Sequence, residues 1–380
     1  MSERERPAVF FLYRDSALRR EALSPEAASG ARYSLYGLDD VRASGLSVSH
    51  NLEPGARRPG AGARAAASTL NQVLRVTGGY GGDFATVLGS RERLNDADVV
   101  FSTVDTVGIP AALLARAGLV RPPIVYAAIG LPERVEQLRG PLARRLYLRA
   151  FHGLHTIVAY GNGEVDALRA WLGSVGPEIV FVPFGVDTEA FAPGDPARPP
   201  EVDVVTVGAD PRRDLGLLAR LARRREDWSF RVVASKDNAR PLTRRPRNVE
   251  VELDVPFAVA RDRLESARVV VLPVQENSYS GATTVLLQAM SLGKPVVVSR
   301  TAAISRGYHL EDGLNCRLVP PGDLDALDHA VAGLLADREN AAALGERARR
   351  TVVERLGWER YTCTLAELLV AAAGPSTVRA

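Results

Sequence analysis

The sequence predicts two α/β halves, each a parallel sheet flanked by helices. Short apolar runs rich in Val, Ile and Phe recur along the chain, alternating with helix-length amphipathic stretches. A Pro-rich polar segment, Ala192 to Glu201 (APGDPARPPE), divides this alternation near its middle. The length of 380 residues exceeds one ordinary domain, and 46% hydrophobic with 24% charged residues is enough for two full cores.

The first half opens with the strand Ala8 to Leu12. Strands near Leu46 to Ser49, Val99 to Ser102, Ile124 to Tyr126 and Thr156 to Ala159 follow, and Val180 to Pro183 closes the half. Helices over Ala63 to Leu74 and Ile109 to Ala117 lie between them. Glu53 to Ala67 is rich in Gly, Arg and Pro and reads as a mobile loop opening into a helix. The second half starts at Val202 to Val207 and continues with strands at Ser229 to Ala234, Val249 to Leu253, Val269 to Leu272 and Val296 to Ser299. The predicted boundaries are residues 1–187, a linker at 188–201, a second domain at 202–355, and a closing helix at 356–380 that crosses back.

The net charge of +3 gives no reason to expect a nucleic-acid partner. Lys236 and Lys294 are the only lysines, and the excess of Arg and Ala reads as coding bias. Cys316 and Cys363 lack metal-ligand spacing and suit a reducing, cytoplasmic compartment. The N-terminus is charged and then apolar for a few residues only, which predicts a first strand rather than a signal peptide. No apolar run is long enough to span a bilayer; the basic stretch Arg134 to Arg149 reads as a solvated helix pair, with membrane contact the lesser reading.

The most informative stretch is Val269 to Asp323. A buried strand ends at Val274, a polar loop follows, and a helix opens at Ser280 or Gly281 and runs over Thr283 to Leu292. Gly293 ends the helix and Pro295 starts the next strand. The amides of Gly281, Ala282, Thr283 and Thr284 are thereby left at the carboxyl end of a parallel strand, where open α/β sheets bind ligands. Free amides and the positive end of the helix dipole favour an anion, usually phosphate.

Gln288-Ala289-Met290, Gly293 and Pro295-Val296-Val297, followed by Asp312-Gly313-Leu314-Asn315 and Val319-Pro320-Pro321-Gly322-Asp323, resemble the donor-binding segment of family 4 retaining glycosyltransferases with the GT-B fold. Val182-Pro183-Phe184-Gly185-Val186-Asp187 resembles that family's interdomain junction, and Gly357-Trp358 with Tyr361 its closing helix. The resemblance implies two Rossmann-like domains facing across a cleft. It also implies a nucleotide-sugar co-substrate, a UDP- or dTDP-sugar, with no other cofactor and no metal. The reaction would be transfer of a sugar to a small hydroxylated acceptor with retention, in specialised-metabolite or cell-surface glycoside biosynthesis. The chain departs from the family where Ser280 and Gln288 replace a pair of glutamates, Ile129 replaces a His, and Ala209 replaces an Arg. Those departures keep two alternatives open, an inactive sugar-nucleotide-binding protein and a sugar-nucleotide epimerase.

Within this frame, Arg213, with Arg212 as its alternate, is expected to carry the charge of the departing diphosphate. Glu276 is the candidate substitute carboxylate. Gly208, Ser235, Lys236, Ser280, Gly281, Ala282, Thr283, Thr284 and Gln288 are the donor-binding candidates. On the acceptor side, the glycine loop with Gly81, Gly82 and Asp83, together with Asp105, supplies candidate hydroxyl binders; helix capping is the alternative for both aspartates.

Overall fold

A computed structural model describes residues 6–25, 27, 29–53, 59–279 and 281–374. Ser280 and residues 54–58 of the glycine-rich loop therefore lie outside the described residues. Contacts divide the chain into two compact units. One comprises the described parts of Met1–Ala27, Ser34–Val182 and Tyr361–Ala380, the other those of Ala28–Tyr33 and Pro183–Arg360.

The first unit is built on β1 (Ala8–Leu12), β2 (Ser47–His50), β3 (Val99–Ser102), β4 (Ile124–Ala128), β5 (Thr156–Ala159) and β6 (Glu178–Phe181). All pair in parallel in the order β2-β1-β3-β4-β5-β6. Every residue of β3, β4 and β5 is buried. Helices cover both faces of such a strand, which is why these strands read as unbroken apolar runs instead of alternating ones.

The second unit is built on β7 (Val202–Val207), β8 (Phe230–Ala234), β9 (Val249–Leu253), β10 (Ala267–Leu272), β11 (Val296–Ser299) and β12 (Arg317–Val319). Its parallel order is β12-β11-β10-β7-β8-β9. The chain moves outward from β7 to β9 and then returns to place β10 on the other side of β7. The carboxyl ends of β7 and β10 therefore flank the point where strand order reverses, the usual ligand crevice of a doubly wound sheet.

Several bounds shift by one to three residues, and two differences from expectation go further. Strand β12 was not foreseen, because three residues at a sheet edge carry too little pattern. The helix predicted from Ile109 begins at Asp105 and holds Pro110 inside it. Proline lacks the N–H that would bond Thr106. The Thr106 carbonyl instead accepts from the Asp83 amide at 2.8 Å, so the helix tolerates its proline and the glycine loop gains an anchor.

Candidate functional site

Two loops meet at the carboxyl ends of β7 and β10. The Gln275 amide donates to the Arg212 carbonyl at 2.9 Å, and the Asp214 amide to the Pro273 carbonyl at 2.9 Å. The Asp214 side chain accepts from the Leu217 amide at 2.8 Å and caps the following helix, Leu215–Arg224. These bonds fix Arg213 between the loops, in an isolated antiparallel bridge to Val274.

Arg213 is buried, 6% exposed. Its Nη2 donates to the Val207 carbonyl at 2.9 Å, while Nε and Nη1 are buried with no hydrogen-bond partner. Burial pushes the guanidinium down to about 10, against smaller opposing effects of Asp210 and Tyr279. A buried charge left short of partners is costly and is seldom retained without a use. Gly208 makes the arrangement possible. Its φ is +149°, and a Cβ there would stand 2.7 Å from Arg213 Nη2.

The helix Thr283–Ser291 follows the second of these loops, with Ala282 as its N-cap. Gly281 differs from expectation in its amide and has a further role in its missing side chain. Its amide donates to the Tyr279 carbonyl at 2.9 Å, so it is not among the free amides. Its missing Cβ makes room for the Asp210 carboxylate, whose Cγ and Oδ2 would lie 2.7 Å from such an atom. Thr283 is buried, and its Oγ1 has no partner; the same holds for Asn277 Oδ1 and Ser278 Oγ on the adjoining loop. The strand-end region thus concentrates unpartnered buried polar atoms, including Thr206 Oγ1 on β7.

Thr284 and Gln288, one turn apart, point elsewhere. They line a small cavity of about 20 Å³ with Arg32, Tyr33, Asp187 and Trp358. Gln288 is 6% exposed there, so its amide serves a confined space. Asp187 Oδ1 accepts from the Glu189 and Ala190 amides at 3.1 and 2.9 Å and closes the adjoining turn. Ser235 Oγ accepts from the Asn238 amide at 3.4 Å, and Lys236 beside it is exposed. A larger cavity, about 410 Å³, lies at the amino ends of β10 and β11, beside Glu265 and Lys294, and contains none of these residues.

Glu276 bonds within the loops of this unit. Its Oε1 accepts from the Ala302 amide at 2.9 Å and from the Asn277 amide at 3.2 Å, so the carboxylate is committed to holding the loop after β11. The carboxylate that reaches the start of the 283–291 helix is Asp210. Sequence reading missed it, because nothing local marks a loop Asp as the neighbour of a glycine so distant in the chain.

In the first unit the glycine loop is pinned. Asn71 Nδ2 donates to the Gly82 carbonyl and its Oδ1 accepts from the Gly82 amide, both at 3.0 Å. A Cβ on Gly81 would collide with Asn71, and one on Gly82 would sit 2.6 Å from the Thr106 carbonyl. Asp83 caps the helix Phe84–Gly89, accepting from the Thr86 amide and hydroxyl at 3.0 and 2.6 Å. Of its two readings, capping is therefore the one whose bonds are formed.

Asp105 is 2% exposed and accepts from Tyr126 Oη at 2.7 Å, the Ile129 amide at 3.2 Å and Arg134 Nε at 3.1 Å. Burial raises its carboxyl to about 6, against the lowering effects of these donors. Arg134 also lies over the Tyr80 ring, with Cζ 4.6 Å from the centroid. Next to it Glu164 accepts from the Gly130 amide at 2.9 Å, and full burial holds its carboxyl well above the usual range. Among the described residues no cluster of His, Cys, Asp or Glu could hold a metal ion, and no helix is long and apolar enough to cross a membrane.

A family described as glycosyl transferases group 1 matches residues 213–337, which include Arg213 and the 283–291 helix. The chain is 27% identical over 301 residues to the MMP alpha-(1->4)-mannosyltransferase of Mycolicibacterium hassiacum, covering 72% of this chain and 70% of that protein. It is 29% identical over 212 residues to the GDP-mannose-dependent alpha-(1-6)-phosphatidylinositol monomannoside mannosyltransferase of Mycolicibacterium smegmatis, a match spanning 50% of this chain and 55% of the relative. Anabaena HepE, solved in complex with UDP-glucose, superposes with a TM-score of 0.68 at 14% identity, covering 96% of this chain and 99% of that one. The two parallel sheets and these likenesses define a GT-B fold. More narrowly, residues 213–337 resemble the group 1 glycosyltransferases, and both relatives carry mannosyltransferase names.

Proposed function

We propose that this enzyme moves a hexosyl group from a nucleoside-diphosphate sugar to a hydroxylated acceptor, with retention and without a metal ion. The observation that carries the reading is Arg213, a buried guanidinium with two unpartnered nitrogens at the carboxyl ends of β7 and β10. That position suits a diphosphate, whose oxygens would complete the donor set of Arg213 and meet the first amides of the 283–291 helix. As the glycosidic bond breaks, negative charge builds on the β-phosphate. A fixed cation and fixed dipoles stabilise it there without reorganising, an effect of about 3–4 kcal/mol per donor lost. A β-phosphate oxygen then takes the acceptor proton on the same face of the sugar, so the site needs no separate base. Arg212 and Lys236 serve as outer cations.

On the acceptor side the proposal narrows to Asp105 and the Arg134 guanidinium that it orients. The mannosyltransferase names of the two relatives support a mannosyl donor. The sparse cysteines support a cytoplasmic setting.

The test is incubation of purified protein with GDP-mannose, UDP-glucose and dTDP-glucose and a pool of polyol and glycoside acceptors, read by mass spectrometry. An acceptor gaining one hexose, with release of the matching nucleoside diphosphate, is the expected outcome. Donor isomerised without an acceptor would replace the reading with epimerisation. Nucleotide bound with no turnover on any acceptor would replace it with a binding protein.

A further inference from the structure

The Asp210 carboxylate is held in place from two loops. The Tyr279 hydroxyl lies 3.1 Å from both of its oxygens, and the Arg212 amide donates to Oδ1 at 2.8 Å. The Asp210 carbonyl in turn accepts from Asn238 Nδ2 at 2.6 Å and the Arg213 amide at 3.1 Å. So oriented, the carboxylate fills the space above Gly281, which has no side chain to exclude it. Asp210 remains half-buried, with part of its surface open.

A carboxylate at this point is a poor neighbour for a diphosphate, since like charges repel at contact distance in a partly dry site. What it suits is a group that donates hydrogen bonds. In a nucleoside-diphosphate sugar bound with its phosphates at Arg213, the hydroxylated sugar is joined directly to the β-phosphate. A carboxylate is an acceptor-only group able to take hydroxyls on both oxygens. The other carboxylates of these loops are engaged elsewhere, Asp214 at the Leu217 amide and Glu276 at the Ala302 amide.

We propose that Asp210 is a specificity residue for the transferred sugar, accepting its hydroxyls while Arg213 and the 283–291 helix hold the diphosphate. The inference rests on the glycosyltransferase reading above and adds a sugar-recognising group to it. It also explains why the residue before the helix N-cap is glycine: any side chain there would push the carboxylate away.

The experiment compares wild type, Asp210→Asn and Asp210→Ala by calorimetry with GDP, GDP-mannose, UDP and UDP-glucose, and by donor KM and kcat for the turned-over donor. The ribose is common to each pair of probes, so the difference within a pair reports the sugar alone. Expected is a loss of about tenfold or more in affinity for the sugar conjugate, with the free diphosphate bound unchanged or more tightly. Equal losses for both probes would make Asp210 a scaffold residue. Equal gains would make it a counter-charge to Arg213. Unchanged binding of both would remove it from the site, and each of these results overturns the proposal. Asp210→Asn keeps the shape and carries the test if Asp210→Ala fails to fold. Wild-type protein that binds none of the four probes overturns the glycosyltransferase reading itself, and that result needs no variant.

Discussion

Replacing Arg213 by Met separates folding from function at one residue. In the folded protein burial pushes the guanidinium down to about 10 from its ordinary 12.5. A base whose folded value is lowered resists carrying its charge there. At pH 7 the group is charged both folded and unfolded, so the whole penalty, about 3 kcal/mol, opposes folding. Methionine keeps the unbranched stem and removes the charge. The substitution leaves the Val207 carbonyl without its 2.9 Å donor, at a cost of about 1–2 kcal/mol. The balance predicts a fold that is more stable by about 1–2 kcal/mol. Binding moves the other way. Two charge-assisted bonds to phosphate are worth about 3–5 kcal/mol together, so diphosphate affinity should fall at least a hundredfold. Urea unfolding followed by tryptophan fluorescence reads the first quantity, and calorimetry with GDP and UDP reads the second. A variant that is clearly less stable and still binds the diphosphate would refute the reasoning, since Arg213 would then be a structural residue.

Two further predictions follow from the same packing. Gly208→Ala places a Cβ 2.7 Å from Arg213 Nη2 in a backbone conformation of φ +149°. It should lower stability by about 1–3 kcal/mol and nucleotide affinity at least tenfold, measured by the same two assays; unchanged affinity would mean that Arg213 need not stay where it lies. Asp105 gives a pH signature, because its carboxyl is raised from the ordinary 3.8 to about 6 in the folded state. The folded protein holds this proton more tightly, so the contribution is full below about pH 4 and lost as pH rises through about 6, roughly 3 kcal/mol in all. Asp105→Asn should flatten that part of the stability profile, and an unaltered slope would assign it to other groups.

The sequence by itself determined the architecture. Buried parallel strands are covered on both faces, so β1, β3, β5, β7 and β11 stand out as short, mostly apolar blocks with their observed bounds. It also marked the strand, loop and helix proposed to hold the diphosphate, because a strand, a polar loop with Gly281 and an apolar helix ending at Gly293 are all local patterns. Arg213 belonged to the same kind of signal, a cation in a loop at a strand end.

What only the tertiary structure decided is where side chains from separate loops point. Asp210 and Tyr279 meet because the switch point sets β7 beside β10, and no local pattern encodes that meeting. Glu276 sits nearer the site in sequence, yet it bonds to Ala302 after the next strand. Glycine is permissive in isolation, so the pattern of the glycine loop does not itself say what holds it. In the fold those glycines are needed for close approach to Asn71 and to the carbonyl that Pro110 leaves unbonded. Local sequence fixes backbone periodicity and chain punctuation. Which polar atom answers which is set by contacts between distant segments, and those form only when the sheet closes on its helices.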